Sequence, residues 1–121
     1  MKTTLLNTKP FCHQTVVAIG KFDGVHIGHA KLLETAAKTA RRLNISAVAY
    51  ITDNPSAQKL MTEDERRSLL RALGMDAVCT DELTDEYKRM TPAEFVYKIL
   101  GALGARHVVV GYNFRFGCRR S

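Results

Sequence analysis

Thr15-Val16-Val17-Ala18-Ile19-Gly20-Lys21-Phe22-Asp23-Gly24-Val25-His26-Ile27-Gly28-His29 is the stretch that decides how this chain folds. Its first six residues form a short apolar run ending in glycine, which predicts a buried strand. From about residue 29 to 43 the spacing changes. Leu32, Leu33, Ala36, Ala37, Ala40 and Leu43 fall on one face, with Lys31, Glu34, Lys38, Arg41 and Arg42 off it, which predicts an amphipathic helix. The middle of the stretch is therefore a strand-to-helix connection.

The same alternation continues outward. Residues 45–51 predict a second strand, and Thr52-Asp53-Asn54-Pro55-Ser56 predicts a turn leaving it. Thr62-Glu63-Asp64-Glu65 reads as a capping box, followed by the apolar stripe Leu69, Leu70 and Leu73 and a stop at Gly74. Thr91-Pro92-Ala93-Glu94 repeats that device, followed by Phe95, Val96, Ile99, Leu100 and Leu103, with a stop at Gly104. Residues 76–79 and 107–110 predict two more strands, the last ending at Gly111. The order β-α-β-α-β-α-β predicts an α/β, Rossmann-like fold: a parallel sheet with right-handed crossovers and helices on both faces. Such sheets bind ligands beyond the carboxyl ends of their strands.

Composition narrows the class. The 121 residues are 45% hydrophobic and 25% charged, which fits one globular domain and excludes disorder. No apolar run approaches the roughly 18–20 residues of a membrane span, and the N-terminus has no long apolar stretch of the secretory kind. Cys12, Cys79 and Cys118 are odd in number and widely spaced, against a disulfide framework or a zinc site, so a reducing cytoplasm is the expected compartment. The net charge of +6 owes three charges to Arg115, Arg119 and Arg120. Solvated surface explains them better than a nucleic-acid partner. Cys12-His13 reads as incidental, because neighbours on an extended segment point apart. Asp81-Glu82 and Asp85-Glu86 read as a solvated loop, and Cys79 as core.

The connection itself carries the chemistry. Gly20, Gly24 and Gly28 remove side chains where a ligand would approach. Gly28 falls at the helix start, where free N–H groups and the helix dipole favour an anion. His26 and His29, three residues apart, add two donors to the same point. The pattern predicts a phosphate site that stabilises charge developing on phosphorus. A dinucleotide fingerprint and a Walker A loop both need other spacings. A metal held by His26 and His29 would need a third ligand, for which Asp23 is a poor candidate; no protein-held metal is expected.

His26-x-Gly28-His29 resembles the motif of the nucleotidyltransferase superfamily. The longer run from Gly20 through Phe22-Asp23-Gly24-Val25 to His29 resembles the N-terminal FMN adenylyltransferase module of bacterial bifunctional riboflavin kinase/FAD synthetases. Leu60-Met61-Thr62 through Gly74-Met75-Asp76, then Thr91-Pro92-Ala93-Glu94-Phe95-Val96, then Val108-Val109-Val110-Gly111-Tyr112-Asn113-Phe114-Arg115-Phe116-Gly117 are similar to that family in the right order.

The resemblance implies transfer of AMP from Mg²⁺-ATP to FMN, giving FAD and pyrophosphate. It implies catalytic roles for His26 and His29, and ATP binding by Gly20, Lys21, Phe22, Asp23, Gly24, His26, Gly28 and His29. It implies flavin binding by Asn54, Pro55, Asn113, Phe114 and Arg115. Asp53 and Asn54 replace a Pro-His pair usual in the family. The family continues past the position of Gly117 to a phosphate-holding element and a kinase domain. The expectation is therefore a single domain over 1–121, incomplete at its C-terminus and without a riboflavin kinase domain. The isolated chain is expected to make little FAD and to self-associate through an exposed edge at residues 107–110. The rivals are another nucleotidyltransferase of the superfamily and a nucleotide-binding fragment without turnover. The partners expected are small molecules, with neither nucleic acid nor membrane.

Overall fold

The computed structural model describes residues 2–20, 27–53, 61–82, 85 and 89–110. Among these the chain runs β1 (Lys2–Leu5), β2 (Thr15–Gly20), α1 (Ile27–Leu43), β3 (Ser46–Asp53), α2 (Glu63–Ala72), β4 (Ala77–Glu82), α3 (Pro92–Phe95) leading into a π-helical segment (Val96–Leu100), and β5 (Ala105–Val110). The five strands form one sheet in the order β1-β4-β3-β2-β5. Strands β2 to β5 are mutually parallel, and β1 lies antiparallel on β4.

β2 is an interior strand of the sheet, and its side chains are apolar on both faces. Val16 and Ala18 join a cluster with Leu33, Ala36, Ala37 and Ala40 of α1 and Leu70 of α2. Val17 and Ile19 join the opposite cluster with Tyr50, Cys79, Phe95, Leu100 and Leu103. Helices thus cover both faces, as the pattern predicts. The alanines of α1 recur at helical spacing and let the helix sit close against the strands. On the other face the Tyr50 and Phe95 rings meet edge to face at 5.7 Å. Burial pushes the Cys79 thiol up from its ordinary pKa, so it stays a neutral packing group.

Four local readings change. First, β1 was not anticipated, and the sheet is not wholly parallel. Lys2-Thr3-Thr4-Leu5 has little apolar character; it is held by pairing with residues 77–80 and by the Thr3 hydroxyl against the Cys79 sulfur at 3.4 Å. Second, β3 and β4 each run further than expected. Thr52 pairs with Asp81 and Asp53 with Glu82, so these polar residues extend the strands rather than leave them as loops. Third, the last helix changes winding. The Gly101 N–H donates to the Val96 carbonyl, five residues back, and this places Phe95 and Leu100 on one buried face while Val96 stays half exposed. The Ile99 side chain lies outside the description. Fourth, the second cap is one-sided. At α2 the box is reciprocal: the Glu65 N–H donates to Thr62 Oγ1 at 3.1 Å and the Thr62 N–H to Glu65 Oε1 at 2.9 Å. At α3 the Glu94 N–H donates to Thr91 Oγ1, but the Glu94 carboxylate takes the Thr91 hydroxyl.

Gly74 and Gly104 stop their helices as expected, with φ of +99° and +65°. At Gly104 a Cβ would sit 1.9 Å from the His13 carbonyl oxygen, so only glycine fits that turn.

Candidate functional site

The crossovers fix where a ligand can sit. β2 leads through α1 to β3 on one side, and β3 leads through α2 to β4 further out. The chain then returns across the sheet to place β5 on the other side of β2. Strand order therefore reverses at β2, and sheets of this kind bind ligands beyond the carboxyl end of the strand where the order reverses. Gly20 is the last residue of β2, in register with Ile51 of β3, and Ile19 is opposite Val110 of β5. Three connections leave these adjacent ends: residues 21–26 after β2, residues from 54 after β3, and residues from 111 after β5.

The sequence-derived site divides accordingly. Gly20 ends β2, and Gly28 and His29 are the second and third residues of α1. The ATP-site residues Lys21, Phe22, Asp23, Gly24 and His26 lie outside the described residues, as do Asn54, Pro55, Asn113, Phe114 and Arg115. In chain position, Asn54 directly follows β3 and Asn113 is three residues past β5. The first turn of α1 holds no acidic residue, while Arg41 and Arg42 stand in its last turn. Its N-terminal N–H groups and dipole thus face the connection without a neutralising carboxylate from that turn, the condition for anion binding.

One feature of this edge escaped the sequence reading. The Tyr50 hydroxyl, on a fully buried ring, donates to Asp81 Oδ2 at 3.0 Å. Asp81 is thereby fixed near the carboxyl end of β4, on the α3 side of the sheet, rather than in a solvated loop. The acidic run from Asp81 to Glu86 hid it; the signal available was the tyrosine one residue before the end of the apolar run 45–51, whose hydroxyl needs a partner when buried. Cys12 and His13 lie at the other end of the sheet, where the Cys12 N–H donates to Ser46 Oγ at 2.9 Å. No helix among the described residues is long and apolar enough to cross a membrane.

A model of the FAD synthetase family matches residues 8–121. The chain belongs to the FAD synthetase family. It is 34% identical to an FAD synthetase of Listeria monocytogenes over 84% of this chain and 45% of that one. It is 32% identical to a bifunctional riboflavin kinase/FMN adenylyltransferase of Pseudomonas fluorescens over 96% of this chain and 40% of the relative. The chain thus spans less than half the length of these curated relatives. Among solved structures, a protein named as a macrolide-efflux protein from Streptococcus pneumoniae matches with a TM-score of 0.81, over 94% of this chain and 47% of that one, at 23% identity. That likeness shows the Rossmann-like fold alone.

Proposed function

We propose that this chain carries the adenylyl-transfer site of an FAD synthetase, moving AMP from ATP to FMN. The observation that carries the reading is the Gly20–His29 connection, which starts at the strand-order reversal and ends in the first turn of a helix with no acidic residue there.

In the step itself an oxygen of the FMN phosphate attacks the α-phosphorus of ATP. The bond from that phosphorus to the bridging oxygen breaks, and the electron pair leaves with pyrophosphate. FMN is already an anionic nucleophile at neutral pH, so no protein base is required. The chain's task is positioning and charge stabilisation. Gly20, Lys21, Phe22, Asp23 and Gly24 bring backbone close to the nucleotide. Gly28 and the first turn of α1 present N–H groups to the phosphates. His26 and His29 donate to the oxygens that gain charge as pyrophosphate departs. Asn54 and Pro55 follow β3 in the chain, and Asn113, Phe114 and Arg115 follow β5, the two strands beside β2; in this reading they hold the flavin and its phosphate, Arg115 by its fork of donors. Mg²⁺ enters with ATP and neutralises phosphate charge.

The same reading puts the protein in the cytoplasm, in keeping with the free thiols of Cys12 and Cys79. It also assigns self-association through β5. That strand borders the described sheet on one side, and its Val108 and Val110 are 41% and 37% exposed.

The test has two arms. Amide-shift mapping of the 121-residue chain with Mg²⁺-ATP should centre on residues 20–29. Residues 8–117, grafted in place of the matching region of a relative, should support FAD formation from FMN and ATP, read by chromatography. Shifts centred elsewhere, or a folded chimera that binds both substrates and makes no FAD, would overturn the reading.

A further inference from the structure

A groove of about 400 Å³ opens at the opposite end of the sheet, where the strands begin. It is lined by Lys9, Arg41, Asn44, Ser46, Gly74 and Asp76, with apolar wall from Ala37 and Ala40. We propose that it binds a small molecule through a phosphate group, separately from the ATP site.

Charge is the first argument. Lys9 and Arg41 both face the groove, and among the described residues neither has an ion pair. Asp76 is the single carboxylate among the lining residues, and both its oxygens are engaged. Oδ1 accepts from Asn7 Nδ2 at 2.7 Å and Oδ2 from the Ala47 N–H at 2.8 Å. The lining is therefore cationic by one charge, and its acid is occupied with holding the fold.

The hydrogen-bond inventory is the second. Two carbonyls at the end of α1 are already used, Ala40 by the Ile45 N–H and Arg41 by the Asn44 N–H. Ser46 is buried and accepts the Cys12 N–H, so its own O–H proton remains to give. Asn44 takes the left-handed position that ends α1, with φ of +58°, and brings an amide to the wall. Lys9, Arg41, Asn44 and Ser46 thus bring donors to the wall, as an oxyanion requires. The volume lies within the range of small-molecule sites.

Gly74 supplies the third. A Cβ there would meet Arg41 Nη1 at 3.2 Å and the Ala37 Cβ at 2.8 Å. The missing side chain makes room for the Arg41 guanidinium at the groove, and a planar guanidinium suits phosphate. Arg41 follows the first residue of α1 by 14 residues, about 21 Å along the helix, so the groove is distinct from the Gly20–His29 connection.

Inorganic phosphate is the probe, titrated into the 121-residue chain at constant ionic strength. Saturable amide shifts are expected at Cys12, residues 44–46 and Gly74. Arg41→Gln should weaken them at least tenfold and Lys9→Gln severalfold; both side chains are exposed, so both variants should fold, and their melting temperatures without phosphate check this. Acetate at the same concentration should shift the same amides much less. The proposal fails if shifts are confined to residues 20–29, if both variants bind phosphate like the parent, or if acetate binds equally well.

Discussion

The two ends of the central sheet are built to different plans. At the amino ends, side chains tie backbone to backbone. Thr15 Oγ1 donates to the Leu103 carbonyl and its N–H to Gly104, both at 2.9 Å. Asp76 joins the N-terminal segment to β3, and Ser46 receives the Cys12 N–H. At the carboxyl ends the strands stop on Gly20 and on the paired polar residues Thr52–Asp81 and Asp53–Glu82. The motif residues Lys21, Phe22, Asp23, Gly24 and His26 follow next in the chain, outside the described residues. The comparison implies that stability and activity separate: substitutions at one end unfold the chain, and substitutions at the other leave it folded and idle.

The largest effect is expected at Gly104. Its φ of +65° strains any other residue, and the 1.9 Å approach to the His13 carbonyl oxygen leaves no space for a Cβ. Relief would pull Thr15 from both of its bonds. Gly104→Ala should cost about 4 kcal/mol or more, in the range of the most damaging substitutions, which for a small domain can abolish cooperative unfolding. A urea melt measures it. A loss under 1 kcal/mol would show that the turn relaxes freely and that this end is not locked.

The next effect falls at the other end. His26→Ala or His29→Ala, in the chimera described above, should lower adenylyl transfer by roughly 10²–10³, the scale of losing one preorganised donor. The melting temperature should stay unchanged. A parallel loss of stability and activity would mean that the imidazoles serve the fold, and the contrast between the ends would collapse.

Asp76 sharpens the amino end. Asp76→Ala leaves the Ala47 N–H and the Asn7 amide without their acceptor. One unsatisfied buried donor costs about 1–3 kcal/mol, and Asn7 can turn to water, so a loss of about 2 kcal/mol is expected in the same urea melt. Asp76→Asn should cost less, because one oxygen remains to accept.

How much of this was legible follows the same division. β2 and α1 could be read because local pattern and tertiary role agree: an apolar run buried on both faces and a helical stripe packed against it. β1 could not, since Lys2-Thr3-Thr4-Leu5 owes its form to partners more than 70 residues away. The π turn was hidden because the five-residue spacing of Phe95 and Leu100 looks like noise on a helical wheel. Asp81 was misread because an acidic run resembles a loop until its pairing with Thr52 and its bond from Tyr50 are known. The amino-end groove draws on three separate segments, and no single stretch announces it.

The smallest effect concerns the two helix caps, one reciprocal and one not. Thr62→Ala removes the acceptor of the Glu65 N–H and should cost about 1 kcal/mol, the usual value for a lost cap. At α2 the carboxylate is also engaged: bonds from the Thr62 backbone and side chain hold the Glu65 carboxyl below its ordinary pKa. The unfolded chain therefore takes up this proton first as pH falls. The contribution is present above about pH 4.5, the ordinary value, and is lost as pH drops through the lower folded value. Glu65→Gln should flatten that part of the acid limb of a stability-versus-pH curve. If it does not, the Glu65 carboxylate contributes nothing by its charge, and the box holds α2 through the Thr62 hydroxyl alone.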